Sequence, residues 1–222
     1  MIKEFIKKCN FDSSSIIFEI GAHMGFDTEE IYERTNKAKI YAFEPDPRNI
    51  KILKERNIGN ISIIVEFAVS DQNSDGYFYL SSGEIPAKTG NDYYDNNDWS
   101  ASNSLRPAKL HNEIFPWCKI EELITVKQIR LDDFCKENSI DHIDFIWMDV
   151  QGCEDLVFVG AQKILNSTKY IFTEYSNSEL YEGQKTLDAI LKLLPGEWFI
   201  HFHEGDNVLL ENITYAKDII KI

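Results

Sequence analysis

Basic side chains are scarce in this sequence. Its 222 residues contain 23 Lys and Arg against 37 Asp and Glu, which gives a formal net charge of −14 at pH 7. Nucleic acids and anionic membrane surfaces are bound mainly by Lys and Arg side chains, so a chain this acidic is poorly suited to either. We therefore expect neither a nucleic acid nor a membrane as its partner.

Paired cysteines and long apolar runs are missing as well. The four cysteines, Cys9, Cys118, Cys135 and Cys153, include no Cys-x-x-Cys pair and have no histidine at zinc-finger spacing. This pattern is typical of free thiols in a reducing compartment rather than of disulfides or a structural zinc site. No uninterrupted apolar stretch is long enough to span a bilayer. The sequence thus predicts a cytoplasmic protein without membrane insertion.

Apolar side chains are plentiful enough for a folded domain, at 43% hydrophobic and 13% aromatic residues. In the first third of the chain, β-branched runs typical of buried strands alternate with segments of helical spacing. The predicted strands there are 15–20, 39–44 and 61–69, and the predicted helices are 27–35 and 47–57. This order indicates a parallel sheet with helices on both of its faces.

Later segments continue the same pattern. The further predicted strands are 77–80, 124–129, 143–149 and 170–174, with a helix over 155–165 and a final antiparallel hairpin of 198–203 and 207–210. We find no internal repeat and no linker composition between these segments. The sequence therefore predicts one doubly wound α/β domain over residues 1–222.

Residues 82–119 interrupt this regularity with glycines, prolines and a centre rich in Asn, Asp and Ser. A loop of that length inside a compact domain is uncommon unless it has a function, so we predict a lid or an acceptor-binding insertion. Its aromatic side chains, Tyr93, Tyr94, Trp99 and Trp117, would stack on the apolar faces of a sugar. The alternative is that the two tryptophans anchor the insertion on the domain.

The first predicted strand ends in a loop suited to a nucleoside. Glu19-Ile-Gly-Ala-His-Met-Gly25 contains two glycines four residues apart, where backbone can pass close to a ligand and a helix begins. Glu44 ends the second strand, where a carboxylate can accept hydrogen bonds from both ribose hydroxyls. Both positions lie at the ligand-binding edge of an open α/β sheet. The alternative is a tight turn and a solvated strand end.

The glycine spacing indicates which nucleoside the loop favours. A dinucleotide fingerprint, Gly-x-Gly-x-x-Gly, would need glycine where His23 and Phe26 stand, so the loop is poorly suited to a pyrophosphate. Glu19, before the turn, favours a cationic ligand such as the ammonium or sulfonium group of S-adenosylmethionine. A nicotinamide-dependent oxidoreductase is the alternative that this spacing disfavours.

Three side chains near strand ends are candidates for catalysis. Asp149 and Glu174 end the predicted strands 143–149 and 170–174, and His23 lies in the first loop. In methyl transfer to an alcohol, a carboxylate or an imidazole would take the hydroxyl proton. The two carboxylates could instead bind a divalent cation, although two ligands do not define a metal site. A helix cap or a structural hydrogen bond is the alternative for each carboxylate.

Five segments, in order along the chain, resemble the FkbM family of S-adenosylmethionine-dependent methyltransferases. They are Phe18-Glu-Ile-Gly-Ala-His-Met-Gly-Phe-Asp-Thr28, Tyr41-Ala-Phe-Glu-Pro-Asp-Pro47, Phe67-Ala-Val-Ser-Asp71, Ile129-Arg-Leu-Asp-Asp-Phe134 and Ile143-Asp-Phe-Ile-Trp-Met-Asp-Val-Gln-Gly152. The resemblance implies a class I methyltransferase fold, which is a Rossmann-like, mostly parallel sheet of seven strands. It also implies O-methylation of sugars, polyketides and related small molecules.

The resemblance implies three groups of cofactor-binding residues. The methionine end would lie against Gly21, Ala22, Gly25 and Thr28, the ribose against Glu44 next to Pro45, and the adenine against Ala68, Val69 and Ser70. Glu19 and His23, in the first loop, complete the predicted cofactor site.

The fourth long strand departs from the family pattern. Lys-x-Asp-x-Glu-Gly is usual, whereas Trp147-Met-Asp-Val-Gln-Gly152 stands here, so two charges are lost together while Asp149 is kept. The change suggests a different class of acceptor, and we predict that Trp147 and Gln151 contact it. The insertion would add Trp99, Trp117 and Ser104, the last of these within a Ser-Asn-Ser-Leu segment that resembles a serine-rich stretch of the family.

Taken together, these features predict an S-adenosylmethionine-dependent O-methyltransferase. Its acceptor would be a hydroxyl of a sugar, a glycan precursor or another small polar metabolite. A non-catalytic nucleoside-binding module of the same fold is the alternative, because of the changes at Trp147 and Gln151.

Overall fold

The computed structural model describes residues 6, 9–86 and 98–215. The strands in this part of the chain are β1 (Ile16–Ile20), β2 (Lys39–Phe43), β3 (Ser62–Val65), β4 (Ala68–Val69), β5 (Asp75–Ser82), β6 (Lys119–Ile129), β7 (Ile143–Met148), β8 (Thr168–Glu174), β9 (Trp198–Glu204) and β10 (Asn207–Asn212). The α-helices are α1 (Phe26–Arg34), α2 (Pro47–Glu55), α3 (His111–Ile114), α4 (Leu131–Glu137), α5 (Glu154–Gly160) and α6 (Leu187–Leu191).

Seven strands form the central sheet, in the order β3-β2-β1-β7-β8-β10-β9. The first five of them in this order run parallel to one another. The last two reverse direction, because β10 is antiparallel to both β8 and β9. The mostly parallel sheet of seven strands is therefore confirmed, together with its final antiparallel hairpin.

Side chains alternate between the two faces of a strand, and both faces of this sheet are covered. On one face, the ring of Phe18 in β1 packs against Phe43 of β2 and Phe134 of α4, with centroids 5.3 and 5.8 Å away. On the other face, Ile17 belongs to a buried cluster with Ile31 of α1. The sheet is thus doubly wound, as the alternation of strands and helices predicts.

A second sheet, of three strands, lies outside the sequence prediction. The expectation of one strand over 61–69 is wrong, because the chain turns at Glu66 and Phe67, where Phe67 N donates to the carbonyl of Val65 at 2.9 Å. The chain beyond the turn is β4, which pairs with β6, and β6 pairs in turn with β5. The predicted helix over 155–165 also ends early, at Gly160.

The insertion connects β5 to β6, which are longer than predicted and extend to its two ends. Its residues 87–97, which include the predicted acceptor contacts Tyr93 and Tyr94, lie outside the described residues. The part after this stretch returns to the domain, because Tyr79 and Ser104 exchange two backbone hydrogen bonds of 2.8 and 3.1 Å. This half of the insertion is therefore attached to the small sheet.

The central sheet reverses its direction of winding between β1 and β7, where an open α/β sheet binds ligands. Their carboxyl ends are joined by a 3.0 Å hydrogen bond from Asp149 N to the carbonyl of Ile20. Gly21 has a φ of +93°, and a Cβ there would lie 2.0 Å from the Asp149 carbonyl oxygen. Only glycine fits this position, so the predicted turn is required by the backbone itself.

A similar close approach allows a test of the fold away from the candidate site. A Cβ on Gly160 would lie 2.0 Å from the carbonyl oxygen of Ser70, whereas one on Gly59 would meet only Ile64 Cδ1 at 3.8 Å. We expect Gly160→Ala to lower the free energy of unfolding by about 1–3 kcal/mol, because α5 must move away from the chain after β4. Gly59→Ala is the matched control and should change it by less than about 0.5 kcal/mol. Urea unfolding measures both, and equal midpoints for the two variants would contradict the packing described here.

Candidate active site

A cleft of about 920 Å³, partly open to solvent, lies beyond the carboxyl ends of β1, β2, β4 and β7. We call it the strand-end cleft. Seven predicted cofactor-binding residues line it, namely Gly21, Ala22, His23, Glu44, Pro45, Ala68 and Val69. Asp149 lines it too, together with Trp147 and Gln151, which are predicted to contact the acceptor. The sheet edge thus brings together residues from four separate segments of the chain.

Four other predicted cofactor-binding residues lie outside this lining. Glu19 is buried and accepts a 2.5 Å hydrogen bond from Thr28 Oγ1, and burial raises the pKa of Glu19 to about 8. Gly25 has a φ of +80° and begins α1, and a Cβ there would lie 2.7 Å from a methyl group of Leu53. Ser70 is buried and donates its backbone N–H to the carbonyl of Ile129. These contacts support the shape of the first loop and of the cleft wall.

The Glu44 carboxylate is fixed by backbone donors on both of its oxygens. His23 N donates to Oε2 and Asp46 N donates to Oε1, each at 2.8 Å, and Asn49 Nδ2 lies 3.4 Å from Oε1. Burial raises the pKa of Glu44 to about 8, although these donors oppose the shift. Each carboxylate oxygen can accept a further hydrogen bond. The carboxylate is thus oriented for two hydroxyl donors in the cleft.

A chain of hydrogen bonds connects this carboxylate to the insertion. Ser100 Oγ donates to Asn49 Oδ1 at 2.8 Å, and His23 Nε2 lies 2.8 Å from the same hydroxyl oxygen. The Ser100 hydroxyl donates its only proton to Asn49, so its oxygen can only accept a hydrogen bond from His23. The ring proton of His23 therefore lies on Nε2. Burial lowers the pKa of His23 to about 4, so its imidazole is neutral near pH 7.

Asn49 and Ser100 are functional residues that the sequence analysis missed. Asn49 follows Glu44 by five positions in the first turn of α2, a spacing that could have suggested a partner for the carboxylate. Ser100 lies in a stretch without periodicity, 51 positions from Asn49, so no local signal identifies it. Only the folded chain brings the two side chains together.

A second cavity of about 950 Å³ adjoins the strand-end cleft and shares Ala101, Asp149 and Gln151 with it. We call it the aromatic cavity. Its rings come from Trp99, His111, Phe115, Trp117, Tyr175 and Tyr181, and its carboxylates from Asp149, Glu154, Glu174 and Asp206. The predicted acceptor contacts Trp99 and Trp117 pack edge to face, with ring centroids 5.4 Å apart. The cavity thus offers flat apolar surfaces beside hydrogen-bond acceptors.

Asp149 and Glu174, the two predicted catalytic carboxylates, lie together in this cavity. Both line this cavity, and Gln151 Nε2 donates to Asp149 Oδ1 at 2.7 Å. Burial raises the pKa of Asp149, and burial together with the negative charge of Asp149 raises the pKa of Glu174. Such a pair shares a proton, since two adjacent carboxylates resist both being ionised.

Gln151 is held from the other side by a residue that the sequence analysis missed. Tyr181 is fully buried, and its hydroxyl lies 3.0 Å from Gln151 Oε1 and 3.0 Å from the carbonyl of Ser102. This contact orients the Gln151 amide, so its NH₂ group faces Asp149. Tyr181 lies 30 positions from Gln151 in an irregular segment, and nothing in the local sequence points to it.

The remaining predicted acceptor contacts occupy different places. Trp147 packs on Phe172, with ring centroids 4.5 Å apart, and lines the strand-end cleft. Ser104 is buried and lines neither cavity, because its hydroxyl donates to the carbonyl of Gln151 at 2.8 Å. Ser104 thus contacts the loop after β7 rather than the space where an acceptor would bind.

Over residues 6, 9–86 and 98–215, no three His, Cys, Asp or Glu side chains converge in an arrangement that would bind a metal ion. In the same residues, every helix is too short or too polar to cross a membrane.

Comparison with known proteins places these features in a family. A family model described as "Methyltransferase FkbM domain" matches residues 19–205. The chain is 40% identical over 202 residues to the 2-O-methyltransferase NoeI of Sinorhizobium fredii (strain NBRC 101917 / NGR234). This alignment covers 89% of this chain and 79% of that protein. Among solved structures it is similar to the methyltransferase FkbM from Methylobacillus flagellatus KT, with a TM-score of 0.52 at 14% identity. That alignment covers 90% of this chain and 44% of the other, so this chain spans less than half of its length.

The hydrogen bonds around His23 lead to a testable statement about its charge. We expect the ring to stay neutral and protonated on Nε2 down to about pH 5, because burial disfavours the imidazolium. In the folded chain its midpoint should lie near 4, whereas in the urea-unfolded chain it should lie near the ordinary value of 6.5. NMR of ¹⁵N-labelled imidazole nitrogens measures both. A folded-state midpoint at 6.5 would contradict the burial described here.

Proposed function

From the premise that this chain belongs to the FkbM family and is a methyltransferase, we propose that it transfers the methyl group of S-adenosylmethionine to a hydroxyl oxygen of a sugar, a glycan precursor or another small polar metabolite. The observation that carries this proposal is the position of Asp149. Its side chain lines both the strand-end cleft and the aromatic cavity. A methyl donor in one and an acceptor in the other would meet beside this carboxylate.

The residues of the strand-end cleft fit S-adenosylmethionine by their chemistry. Glu44 presents two oriented oxygens to the ribose hydroxyls, and Ala68 and Val69 give a small apolar wall for the adenine. Gly21 brings backbone close to the methionine part, since a side chain there is excluded. When bound, S-adenosylmethionine supplies a methyl carbon on a sulfonium, which is open to in-line displacement by an oxygen.

The aromatic cavity supports an oxygen acceptor. Flat rings of Trp99 and Trp117 suit the apolar C–H faces of a sugar, and carboxylates accept hydrogen bonds from its hydroxyls. The name of the relative from Sinorhizobium fredii, a 2-O-methyltransferase, supports transfer to oxygen. The same family relationship disfavours both alternatives raised by the sequence, a nicotinamide-dependent oxidoreductase and a non-catalytic module.

The Asp149 and Glu174 pair would remove the hydroxyl proton of the acceptor. In this mechanism the pair would hold one proton, because two adjacent carboxylates resist both being ionised, and one carboxylate would keep a lone pair for the proton of the acceptor. Gln151 holds Asp149 by its 2.7 Å hydrogen bond and thereby orients the accepting oxygen. His23 is neutral with its proton on Nε2, and it fixes the insertion over the cleft through Ser100.

We place this activity in the cytoplasm, without a nucleic-acid or membrane partner. All four cysteines are free thiols, which suits a reducing compartment. The net charge of −14 supports small-molecule or carbohydrate acceptors over polyanions.

Removal of the Glu44 side chain tests the cofactor site. We expect Glu44→Ala to weaken binding of S-adenosylhomocysteine about 10- to 100-fold, since it removes the acceptor of two ribose hydrogen bonds that contribute about 0.5–1.5 kcal/mol each. Calorimetry measures the affinity, with thermal unfolding as a check on folding. Glu55→Ala is the matched control, because Glu55 is an exposed carboxylate that pairs only with Lys51 at 3.7 Å. Equal affinity of the wild type and Glu44→Ala for S-adenosylhomocysteine would contradict the assignment of the ribose site.

Neutralisation of Asp149 tests the chemical step. We expect Asp149→Asn to lower methyl transfer about 10²- to 10⁴-fold, since a positioned base contributes by that factor. Binding of S-adenosylhomocysteine should be kept. Transfer from labelled S-adenosylmethionine to a panel of sugars, nucleotide sugars and short glycans provides the assay. Full activity in the variant would show that another group takes the proton.

A further inference from the structure

Gln184 lines the aromatic cavity from an irregular segment in which the sequence indicates no site residue. Its side-chain oxygen is fixed by the backbone of the preceding turn, because Leu180 N and Tyr181 N donate to Oε1 at 3.0 and 3.3 Å. Gln184 N donates in turn to the carbonyl of Tyr181 at 3.1 Å, which closes the same turn. Backbone groups therefore set the orientation of this amide.

The NH₂ group of the Gln184 amide is not used by the fold. Because two backbone donors hold Oε1, Nε2 lies on the other side of the amide, where it can donate two hydrogen bonds. It remains accessible and has no hydrogen-bond partner among the described residues. The turn needs only an acceptor at this position, so a carboxylate oxygen would serve it equally well. The free donor is consequently available to a molecule bound in the cavity.

Gln184 packs directly against the loop that carries Asp149. In this loop Gly152 has a φ of +83°, and a Cβ there would lie 3.0 Å from Gln184 Cδ and 2.9 Å from Tyr181 Cδ2. Glycine is required at this position by its backbone conformation and by the close contact. Asp149, Gly152 and Gln184 all line the aromatic cavity. The fixed amide thus lies on the same wall as the loop of the candidate base.

Other N–H groups of the lining donate within the protein. Gln151 Nε2 donates to Asp149 at 2.7 Å, and Trp99 Nε1 donates to Ser102 Oγ at 2.9 Å. The carboxyl oxygens of the cavity can accept hydrogen bonds from hydroxyl groups of a ligand. A sugar hydroxyl can accept a hydrogen bond as well as donate one. Gln184 supplies a fixed donor for such an oxygen.

We propose that Gln184 is a substrate-binding residue, whose NH₂ group donates to a second hydroxyl oxygen of a sugar acceptor while the hydroxyl to be methylated lies at Asp149. This inference rests on the proposed function and adds a requirement to its substrate class. The acceptor carries two hydroxyl groups that the protein contacts, one that loses its proton and one that accepts a hydrogen bond. Contact at two points would decide which hydroxyl of the sugar reaches the methyl group.

Gln184→Glu tests this role, because it changes the group left free by the turn and keeps an acceptor for Leu180 N and Tyr181 N. The variant should therefore unfold at the same temperature as the wild type. Saturation-transfer NMR with the full chain and S-adenosylhomocysteine would measure the affinities for D-glucose, D-galactose and D-mannose. We expect the sugar that the wild type binds most tightly to bind about tenfold more weakly to Gln184→Glu, since a carboxylate has no proton for the sugar oxygen.

The control for the added charge is Gln72→Glu, in the exposed bend between β4 and β5. It should leave the affinity for the same sugar unchanged. Calorimetry should show that both variants bind S-adenosylhomocysteine within about twofold of the wild type, because the amide of Gln184 lies outside the lining of the strand-end cleft. Equal affinity of the wild type and Gln184→Glu for that sugar overturns the proposal, as does a wild type that binds none of the three sugars.

Deoxy analogues distinguish a direct contact from the effect of an added charge. Each monodeoxy analogue of the chosen sugar lacks one hydroxyl oxygen. A charge that acts at a distance weakens every analogue by the same factor, whereas a lost hydrogen bond has no effect on the analogue that lacks the contacted oxygen. We expect one analogue to bind equally well to the wild type and to Gln184→Glu. An equal loss for every analogue overturns the proposal.

The outcomes separate this inference from the proposed function. Methyl transfer to a sugar with the same KM in the wild type and in Gln184→Glu would keep the O-methyltransferase and reject the contact with Gln184. Failure of S-adenosylhomocysteine to bind would reject the proposed function. A sugar affinity that depends on Gln184, measured without S-adenosylhomocysteine, would still support the sugar site in the aromatic cavity.

Discussion

The contact between the carboxyl ends of β1 and β7 determines the positions of the two loops that form the candidate active site. The Asp149 amide donates to the Ile20 carbonyl, and Gly21 must lack a side chain because the Asp149 carbonyl occupies the space of a Cβ. This approach brings two loops, 128 positions apart in the chain, to one point of the sheet edge. The Asp149 side chain therefore lies between the strand-end cleft and the aromatic cavity, and each cavity is built around it.

Three carboxyl side chains of this edge differ in what surrounds them, and this difference underlies the separate roles that we propose for them. Glu44 has a backbone N–H on each oxygen, so its orientation is fixed, which suits the ribose binding that we propose. Glu174 is partly buried and has other carboxylates as neighbours, and both effects raise its pKa. Glu19 accepts a hydrogen bond from the hydroxyl of Thr28, within the wall of the first loop. Residue type is the same in all three, and the environment decides the chemistry.

The sequence predicts those parts of the fold and site that depend on strand order. Gly21, Glu44 and Asp149 could be identified because each directly follows or ends a buried apolar run, and parallel strands present these ends at one edge. The two-residue strand β4 has no periodicity of its own, so the small sheet was beyond prediction. Ser100 and Tyr181 reach the site from irregular segments. Their positions follow from contacts between distant parts of the chain, which a single sequence does not contain.

Residues 98–106, in the second half of the insertion, contact residues of both the strand-end cleft and the aromatic cavity. Ser100 donates to Asn49 and adjoins His23 beside Glu44, while Ser104 and Arg106 donate to the carbonyls of Gln151 and Gly152. Trp99 and Ala101, between these anchors, line the aromatic cavity. This part of the aromatic cavity's lining is therefore attached at one end to residues of the strand-end cleft and at the other end to the loop that carries Asp149. A change in this segment that reshapes the acceptor space also alters the support of Glu44 and Gln151. In the proposed function, acceptor choice and cofactor geometry are consequently coupled through these nine residues.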